Sequence, residues 1–216
     1  MGLSIEECGG SAATTVLYLD DGVFSGSQIG RDLSGWIQSD CPLRARVEIA
    51  CMALHRSGEW KAIRPDGYVA LAKEEVGKEV ELRWWPNIKA ENRLTYIDIS
   101  DVLSPRALHD DLSVRTYSST LARPPRLRTG ENLGRLGLFS SHAGRELLEQ
   151  EFLKAGAQIR ERAPNLNIHQ RPLGNTTFGG LGFGSMVVTH RNGPNDAPLA
   201  LWAGNPWHPL FPRRTN

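Results

Sequence analysis

The first half of the chain alternates short apolar runs with amphipathic segments. Thr15–Asp20 is an almost wholly apolar run that ends at the first of two acids, a pattern typical of a central parallel strand buried on both faces. Ser27–Gln38 gathers its apolar side chains on one helical face, and Tyr68–Val76 predicts a second helix that a glycine ends. Arg46–Leu54 and Glu79–Trp85 predict two further strands. This alternation of strands and helices predicts an α/β layer with right-handed crossovers.

The second half carries one clear helix among many turn residues. Arg93–Ile99 predicts either a fourth strand or a lead-in to a helix, and Ser185–His190 predicts a strand. Ser141–Ala163 predicts a long helix in which Ser141 is the N-cap. Its apolar stripe would consist of Ala143, Leu147, Leu148, Phe152, Ala155 and Ile159. Beyond Pro164 the chain is rich in Gly, Asn and Pro, which predicts a loop-rich C-terminal cap.

Composition narrows the class of protein. The 216 residues are 40% hydrophobic and 23% charged with a net charge of +1, which is ordinary for a soluble chain with one good-sized core. A charge so near zero gives no general reason to bind nucleic acid or an anionic membrane. Three widely spaced cysteines form neither a disulfide framework nor a zinc motif. With no secretory signal and no long uncharged apolar span, we expect a cytoplasmic protein and no membrane partner.

The chemistry concentrates where the first predicted strand meets the first predicted helix. Asp20 and Asp21 come at the carboxyl end of that strand, where open α/β sheets bind their ligands. Ser25, Gly26 and Ser27 then open a helix, whose first N–H groups and serine hydroxyls are donors for an anion. Carboxylates accept hydrogen bonds from vicinal hydroxyls. The loop therefore predicts a site for a phosphorylated ribose.

This run of residues resembles a known family signature. Four apolar residues, two acids, three variable residues and Ser-Gly-x resemble the phosphoribosyl-diphosphate signature of type I phosphoribosyltransferases. The resemblance implies a small, mostly parallel sheet of phosphoribosyltransferase type. It also implies that the catalytic pair Asp20 and Asp21 meets the 2- and 3-hydroxyls of ribose. The residues expected to cradle the 5-phosphate are Ser25, Gly26, Ser27 and Gln28. A Mg²⁺ ion is expected from the resemblance alone, held weakly by the two acids through the bound ligand.

Two details of the sequence resemble a divergent branch of that family. Gln28 stands where the enzymes usually have Thr, and the C-terminal stretch from Phe183 to Arg213 also resembles the ending of this branch. The branch occurs in bacterial conflict and antiphage systems, including some retron operons. The resemblance thus implies an effector that binds phosphoribosyl diphosphate or a nucleotide. If active, it would displace pyrophosphate from the anomeric carbon or cleave an N-glycosidic bond. Residues 60–165 resemble nothing further.

The signature begins close to the start of the sequence, and this bears on domains and partners. The family has a strand and a helix before the signature, which carry its pyrophosphate-binding loop, whereas here the 15 residues up to Thr15 precede it. We therefore expect a truncated or split protein, in which another protein chain or an upstream piece of the same gene supplies that part of the fold, or a site that has lost catalysis. The expected organisation is an N-terminal segment 1–14, an α/β core 15–140 and a helix with a loop-rich region 141–216.

A second function class stays open at this point. A non-catalytic subunit could use the same pocket to sense a nucleotide while it docks a partner protein or nucleic acid. Arginines that could bind nucleic-acid phosphates follow one another in a proline-containing loop, which could equally be a plain soluble loop. They are Arg123, Arg126 and Arg128. Asp98 and Asp101 could add a second acid to the cleft, although an N-cap role explains Asp101 equally well.

Overall fold

The fold is given by a computed structural model, which describes residues 15–129, 135–163, 165–176, 180–189, 195–203 and 208–211. Its contacts divide the chain into two compact units, Met1–Ala90 and Glu91–Asn216. The domain extents expected from the sequence, with boundaries after residues 14 and 140, stay a prediction. In the described part of the chain, no helix is both long enough and apolar enough to cross a membrane.

A parallel three-stranded sheet forms the centre of the first unit. Its strands are β1 (Thr15–Val23), β2 (Arg44–His55) and β3 (Glu79–Ala90), in the order β1-β2-β3. All three predicted strands are confirmed, and each is longer than its apolar run. The α/β class with a small parallel sheet is therefore correct. Polar residues extend the strands because a neighbouring strand pairs with the backbone whatever the side chain is.

Three helices complete this unit. They are α1 (Ser27–Gln38), α2 (Arg56–Ile63) and α3 (Tyr68–Val76). The bounds of α1 and α3 are those predicted, because an apolar stripe defines α1 and a left-handed Gly77 with φ of 64° ends α3. The predicted face of α1 is buried: Ile29, Leu33, Trp36 and Ile37. No pattern had predicted α2, which begins directly after β2.

Strand β1 is not buried on both faces, contrary to the prediction. Val16 and Tyr18 are buried in the core, but Leu17 and Leu19 between them are 58% and 70% exposed. Within the described residues β1 pairs with β2 alone, so it lies at the edge of the sheet. The apolar residues on both faces of β1 indicate that either face could be buried. They do not indicate which other elements of the fold cover each face.

The second unit is built mainly on helices. It contains α4 (Leu112–Ser119), α5 (His142–Arg162), the short antiparallel pair β4 (Gln170–Arg171) and β5 (Gly174–Asn175), and α6 (Leu199–Trp202). The predicted strand at Ser185–His190 is wrong, and so is the strand alternative for Arg93–Ile99. Leu94–Ile99 is a 3₁₀ helix, and residues 185–189 form no strand, while His190 lies outside the described residues.

Helix α5 forms as predicted, with the Ser141 hydroxyl accepting the N–H of Gly144 as its N-cap. Its buried face, however, is not the predicted stripe. Leu147 is 62% exposed, whereas Arg145 and Glu149 are wholly buried. The residues that α5 buries are Arg145, Glu149, Leu153, Gly156, Ala157 and Ile159. A count of apolar residues could not find this face because two of its six side chains are charged.

Arg145 and Glu149 belong to a buried network of charged side chains that also includes Arg128. Glu149 accepts a hydrogen bond from Arg145 Nε at 2.9 Å and another from Arg128. Arg145 also donates to the carbonyl oxygens of Ser100 and Val102, each at 2.8 Å. The single carboxylate therefore compensates two buried guanidinium groups, which hold the loop after the 3₁₀ helix against α5.

We predict that Glu149→Gln lowers the free energy of unfolding by about 3–5 kcal/mol, because it leaves two buried cations without a counter-charge. Urea denaturation followed by circular dichroism measures the loss. Glu146→Gln is the matched control, since Glu146 is exposed one turn earlier on the same helix. A loss no larger in Glu149→Gln than in the control would contradict this view of the network.

Candidate functional site

Asp20 lies near the carboxyl end of β1, in the position opposite Cys51 of β2. Its carboxylate Oδ1 accepts the backbone N–H of Gly22 at 3.4 Å. Burial, and then a hydrogen bond with the side chain of Asp21, raise the pKa of Asp20 to about 6. The two acids predicted from sequence thus interact, and they share a proton more readily than two separate surface carboxylates do.

Two titratable side chains of β2, Cys51 and His55, are neutral near pH 7. Burial, and then the charge of Asp20, raise the pKa of the Cys51 thiol to about 11, so it is not a thiolate nucleophile near neutral pH. Burial lowers the pKa of His55 to about 3, which keeps its imidazole uncharged. The His55 ring packs edge-on against Phe24, with ring centroids 5.2 Å apart. His55, the last residue of β2, therefore has a packing role against Phe24 of the loop after β1.

The loop expected to bind phosphate connects β1 to α1. Ser25 and Gly26 form a bend, and Ser27 and Gln28 begin the helix. Gly26 is the N-cap in a left-handed conformation with φ of 71°, and it brings no side chain to cap the helix. Apart from a long 3.4 Å bond from Ser27 N–H to Ser25 Oγ, no side chain in the described region accepts a hydrogen bond from the first N–H groups of this helix. N–H groups at the start of a helix that no side chain caps are the donors that an anion can use.

Gly26 has a second role that the sequence did not suggest. A methyl group added to it would lie 2.3 Å from the carbonyl oxygen of Gly58 in α2, and one added to Gly58 would lie 2.5 Å from that of Phe24. The two glycines therefore let the loop and α2 pack backbone against backbone. A larger residue at position 26 would separate these elements, in addition to straining the positive φ.

Lys61 of α2 is a site residue that sequence reasoning missed. Its ammonium group donates to Ser27 Oγ at 2.8 Å. No local signal marks α2, because it is only eight residues long and buries little more than Gly58 and Ala62. Lys61 is distant from the loop in sequence, and the tertiary structure alone brings its ammonium group to Ser27.

The acid pair suits the Mg²⁺ ion that the resemblance implies if a bound ligand supplies the other oxygen atoms that coordinate the ion. No group of three or more His, Cys, Asp or Glu side chains suited to a metal occurs among the described residues. A binding mode that uses one or two carboxylates plus ligand phosphate oxygens is the usual one for Mg²⁺. Asp20 and Asp21 could fill that role only together with a bound ligand.

The other acids weighed from sequence have structural partners. Asp98 accepts the N–H of Thr129 at 2.7 Å, and Asp101 accepts the N–H of Glu91 at 2.7 Å. Both belong to the second unit, and the strand that was to bring them to the sheet edge does not form.

The predicted arginine patch is smaller than expected. Arg128 is buried against Glu149, so it is not available to a nucleic acid. Arg123 and Arg126 are exposed, and Arg126 donates to the carbonyl oxygen of Leu94 at 3.2 Å.

Comparison with known proteins gives one match. The family model described as PRTase-CE matches residues 1–213, which is nearly the whole chain. No curated protein and no solved structure matches it.

The raised pKa of Asp20 predicts how stability depends on pH. The folded chain holds this proton more tightly than the unfolded chain, so the stabilisation is present below about pH 4 and is lost as the pH rises through about 6. Asp20→Asn does not titrate, and we expect its stability relative to the wild type to increase between pH 4 and pH 7. Urea denaturation at several pH values measures this.

Asp40→Asn serves as the control, because Asp40 is an exposed acid at the other end of α1. The difference between Asp40→Asn and the wild type should not follow the same pH course. A difference between Asp20→Asn and the wild type that is flat from pH 4 to pH 7 would contradict the assignment.

Proposed function

Since the chain belongs to the PRTase-CE family, and thus to the phosphoribosyltransferase-like proteins, we propose that it binds phosphoribosyl diphosphate or a nucleotide as an effector of a bacterial antiphage system. The observation that carries the proposal is the interacting acid pair Asp20 and Asp21, held beside the uncapped start of α1. Perturbed carboxylates of this kind concentrate at functional sites.

Each part of the site has a distinct task in this proposal. The carboxylates of Asp20 and Asp21 accept hydrogen bonds from the 2- and 3-hydroxyls of ribose. The N–H groups and hydroxyls of the loop from Ser25 to Gln28 donate to the 5-phosphate. Binding a diol to the ionised pair offsets the cost of holding two carboxylates together, so the ligand should bind more tightly above pH 6 than below it.

The same arrangement suits transfer at the anomeric carbon. The bond from that carbon to pyrophosphate breaks, the pair of electrons leaves with pyrophosphate, and an acceptor atom forms the new bond. Positive charge develops on the ribose ring in between, and the carboxylates of Asp20 and Asp21 stabilise it electrostatically. A bound Mg²⁺ would neutralise charge on the pyrophosphate as it leaves. Cleavage of an N-glycosidic bond uses the same ring charge with water as the acceptor.

The defence role rests on sequence likeness. Gln28 in the loop and the C-terminal stretch resemble the conflict-system branch, and the family match extends over both.

A second candidate function is a non-catalytic subunit that docks another protein. The observation in its favour is the exposed side of the sheet, where Leu19, Ala50 and Trp85 lie in one row across the three strands. Trp85 is 61% exposed, and Leu17 is exposed beside Leu19 at the edge strand. An open strand edge with an apolar face favours the addition of a strand from another chain. A partner could thereby complete the sheet while the pocket reads a nucleotide.

We predict that Asp20→Asn combined with Asp21→Asn weakens binding of phosphoribosyl diphosphate tenfold or more at pH 7.5. Hydrogen bonds to charged groups contribute about 1.5–3 kcal/mol each, and 1.4 kcal/mol is about tenfold in affinity. Isothermal calorimetry measures the affinity, and circular dichroism verifies folding. Glu74→Gln with Glu75→Gln removes an equal charge from the exposed side of α3 and should bind as the wild type does.

Unchanged affinity in the folded Asp double variant would refute the ribose-binding role. The same variant tests the defence role in cells: expressed from its own operon, the wild type should reduce phage plating, and the variant should not.

We also predict that the isolated protein self-associates through the edge of β1 that pairs with no other strand of the described residues, and that Leu19→Lys reduces this association. A lysine on an exposed edge strand opposes pairing with another strand. Light scattering over a range of concentrations measures the effect. Leu147→Lys is the control, because Leu147 has similar exposure on α5. A wild type that stays monomeric at every concentration, or equal effects of both lysines, would count against the docking surface.

A further inference from the structure

Lys61 stands out among the lysines of the first unit by what it contacts. Its ammonium donates to the hydroxyl of Ser27, the first residue of α1, and its side chain is half-buried. An ammonium group has three donors, and a neutral hydroxyl uses one of them without balancing the charge. Among the described residues no carboxylate lies within ion-pair distance of Lys61.

The neighbouring charges explain why Lys61 has no such partner there. The acid of α2, Glu59, contacts Arg56 at 3.6 Å and Lys89 at 2.8 Å. The remaining lysines of the unit that appear in hydrogen bonds end on backbone carbonyls: Lys73 on Val80 and Lys78 on Ile37. Those two hold helix and strand ends together. Lys61 instead brings its positive charge to the loop after β1.

The contact between Gly26 and Gly58 holds this lysine in place. Gly58 lies on the same short helix, α2, one turn before Lys61, and its carbonyl lies where a side chain of Gly26 would be. The helix therefore cannot move away from the loop without breaking a backbone contact. The backbone that carries Lys61 therefore needs little further ordering when a ligand binds.

We propose that Lys61 determines the specificity of this site for the phosphate of a phosphorylated ribose, an inference that rests on the proposed function above. The dianionic phosphomonoester accepts hydrogen bonds from the loop N–H groups, and the ammonium of Lys61 supplies the compensating charge. Recognition is thereby divided: the acid pair on β1 takes the sugar hydroxyls, and Lys61 on α2 takes the phosphate.

Calorimetry with two probes, ribose 5-phosphate and inorganic phosphate, tests the proposal. Lys61→Gln should weaken the binding of both probes at least tenfold and reduce the dependence of affinity on salt concentration. Lys61→Arg, which keeps the positive charge, should retain most of the wild-type affinity. Lys89→Gln removes a charge from the same unit and should change neither affinity more than twofold. The urea midpoint shows whether each variant is folded, and Lys61→Met, which keeps the stem, replaces Lys61→Gln if that variant is unstable.

The outcomes separate the lysine from the ribose function. Wild-type affinity for both probes in a folded Lys61→Gln or Lys61→Met would overturn the proposal and leave the ribose function standing. If phosphate binding depends on Lys61 but ribose 5-phosphate binds no more tightly than phosphate, the role of Lys61 in phosphate binding would be supported. The ribose-binding function would then be rejected. A wild type that binds neither probe would reject both.

Discussion

The backbone of the loop after β1 meets the backbone of α2 at one point, where Gly26 faces Gly58. No side chain fits between them: a single added methyl group on either residue would lie within 2.5 Å of a carbonyl oxygen. Gly26 is left-handed at this contact, where it begins α1, and Gly58 lies on α2. The close approach of the two backbones accompanies the contact of Lys61, on α2, with Ser27 at the start of α1. The geometry of the candidate site thus depends on two residues that have no chemistry of their own.

The electrostatics of this site differ from those of the second unit. Asp20 and Asp21 are like charges held together, beside the neutral thiol of Cys51, and folding is less favourable when both are ionised. In the second unit Glu149 is buried between two arginines, and its oxygens accept bonds from both. The negative charge of the Asp20–Asp21 pair can be balanced by a ligand. The charge of Glu149 is balanced by arginines within the protein, which is typical of a structural network.

The buried network also changes how the arginine-rich loop is interpreted. The sequence suggested Arg128 as one of several phosphate-binding side chains. In the structure it is buried and forms an ion pair with Glu149. Its neighbours Arg123 and Arg126 stay at the surface, where two charges give only a weak electrostatic attraction for nucleic acid in a chain with net charge +1. The acid pair and its loop therefore carry the functional argument.

The sequence by itself determined the features that depend on near neighbours in the chain. The helices Ser27–Gln38 and Tyr68–Val76, the Ser141 cap and the three strands follow from periodicity and from capping, which act over a few residues. The acid pair and the loop were also visible, because one short segment contains all of them. Only the tertiary structure decided which face of β1 is exposed, which side of α5 is buried, and that Lys61 reaches Ser27 across 34 positions. Burial, pKa and ion pairing depend on which distant residues the fold brings close, and local pattern carries no record of those neighbours.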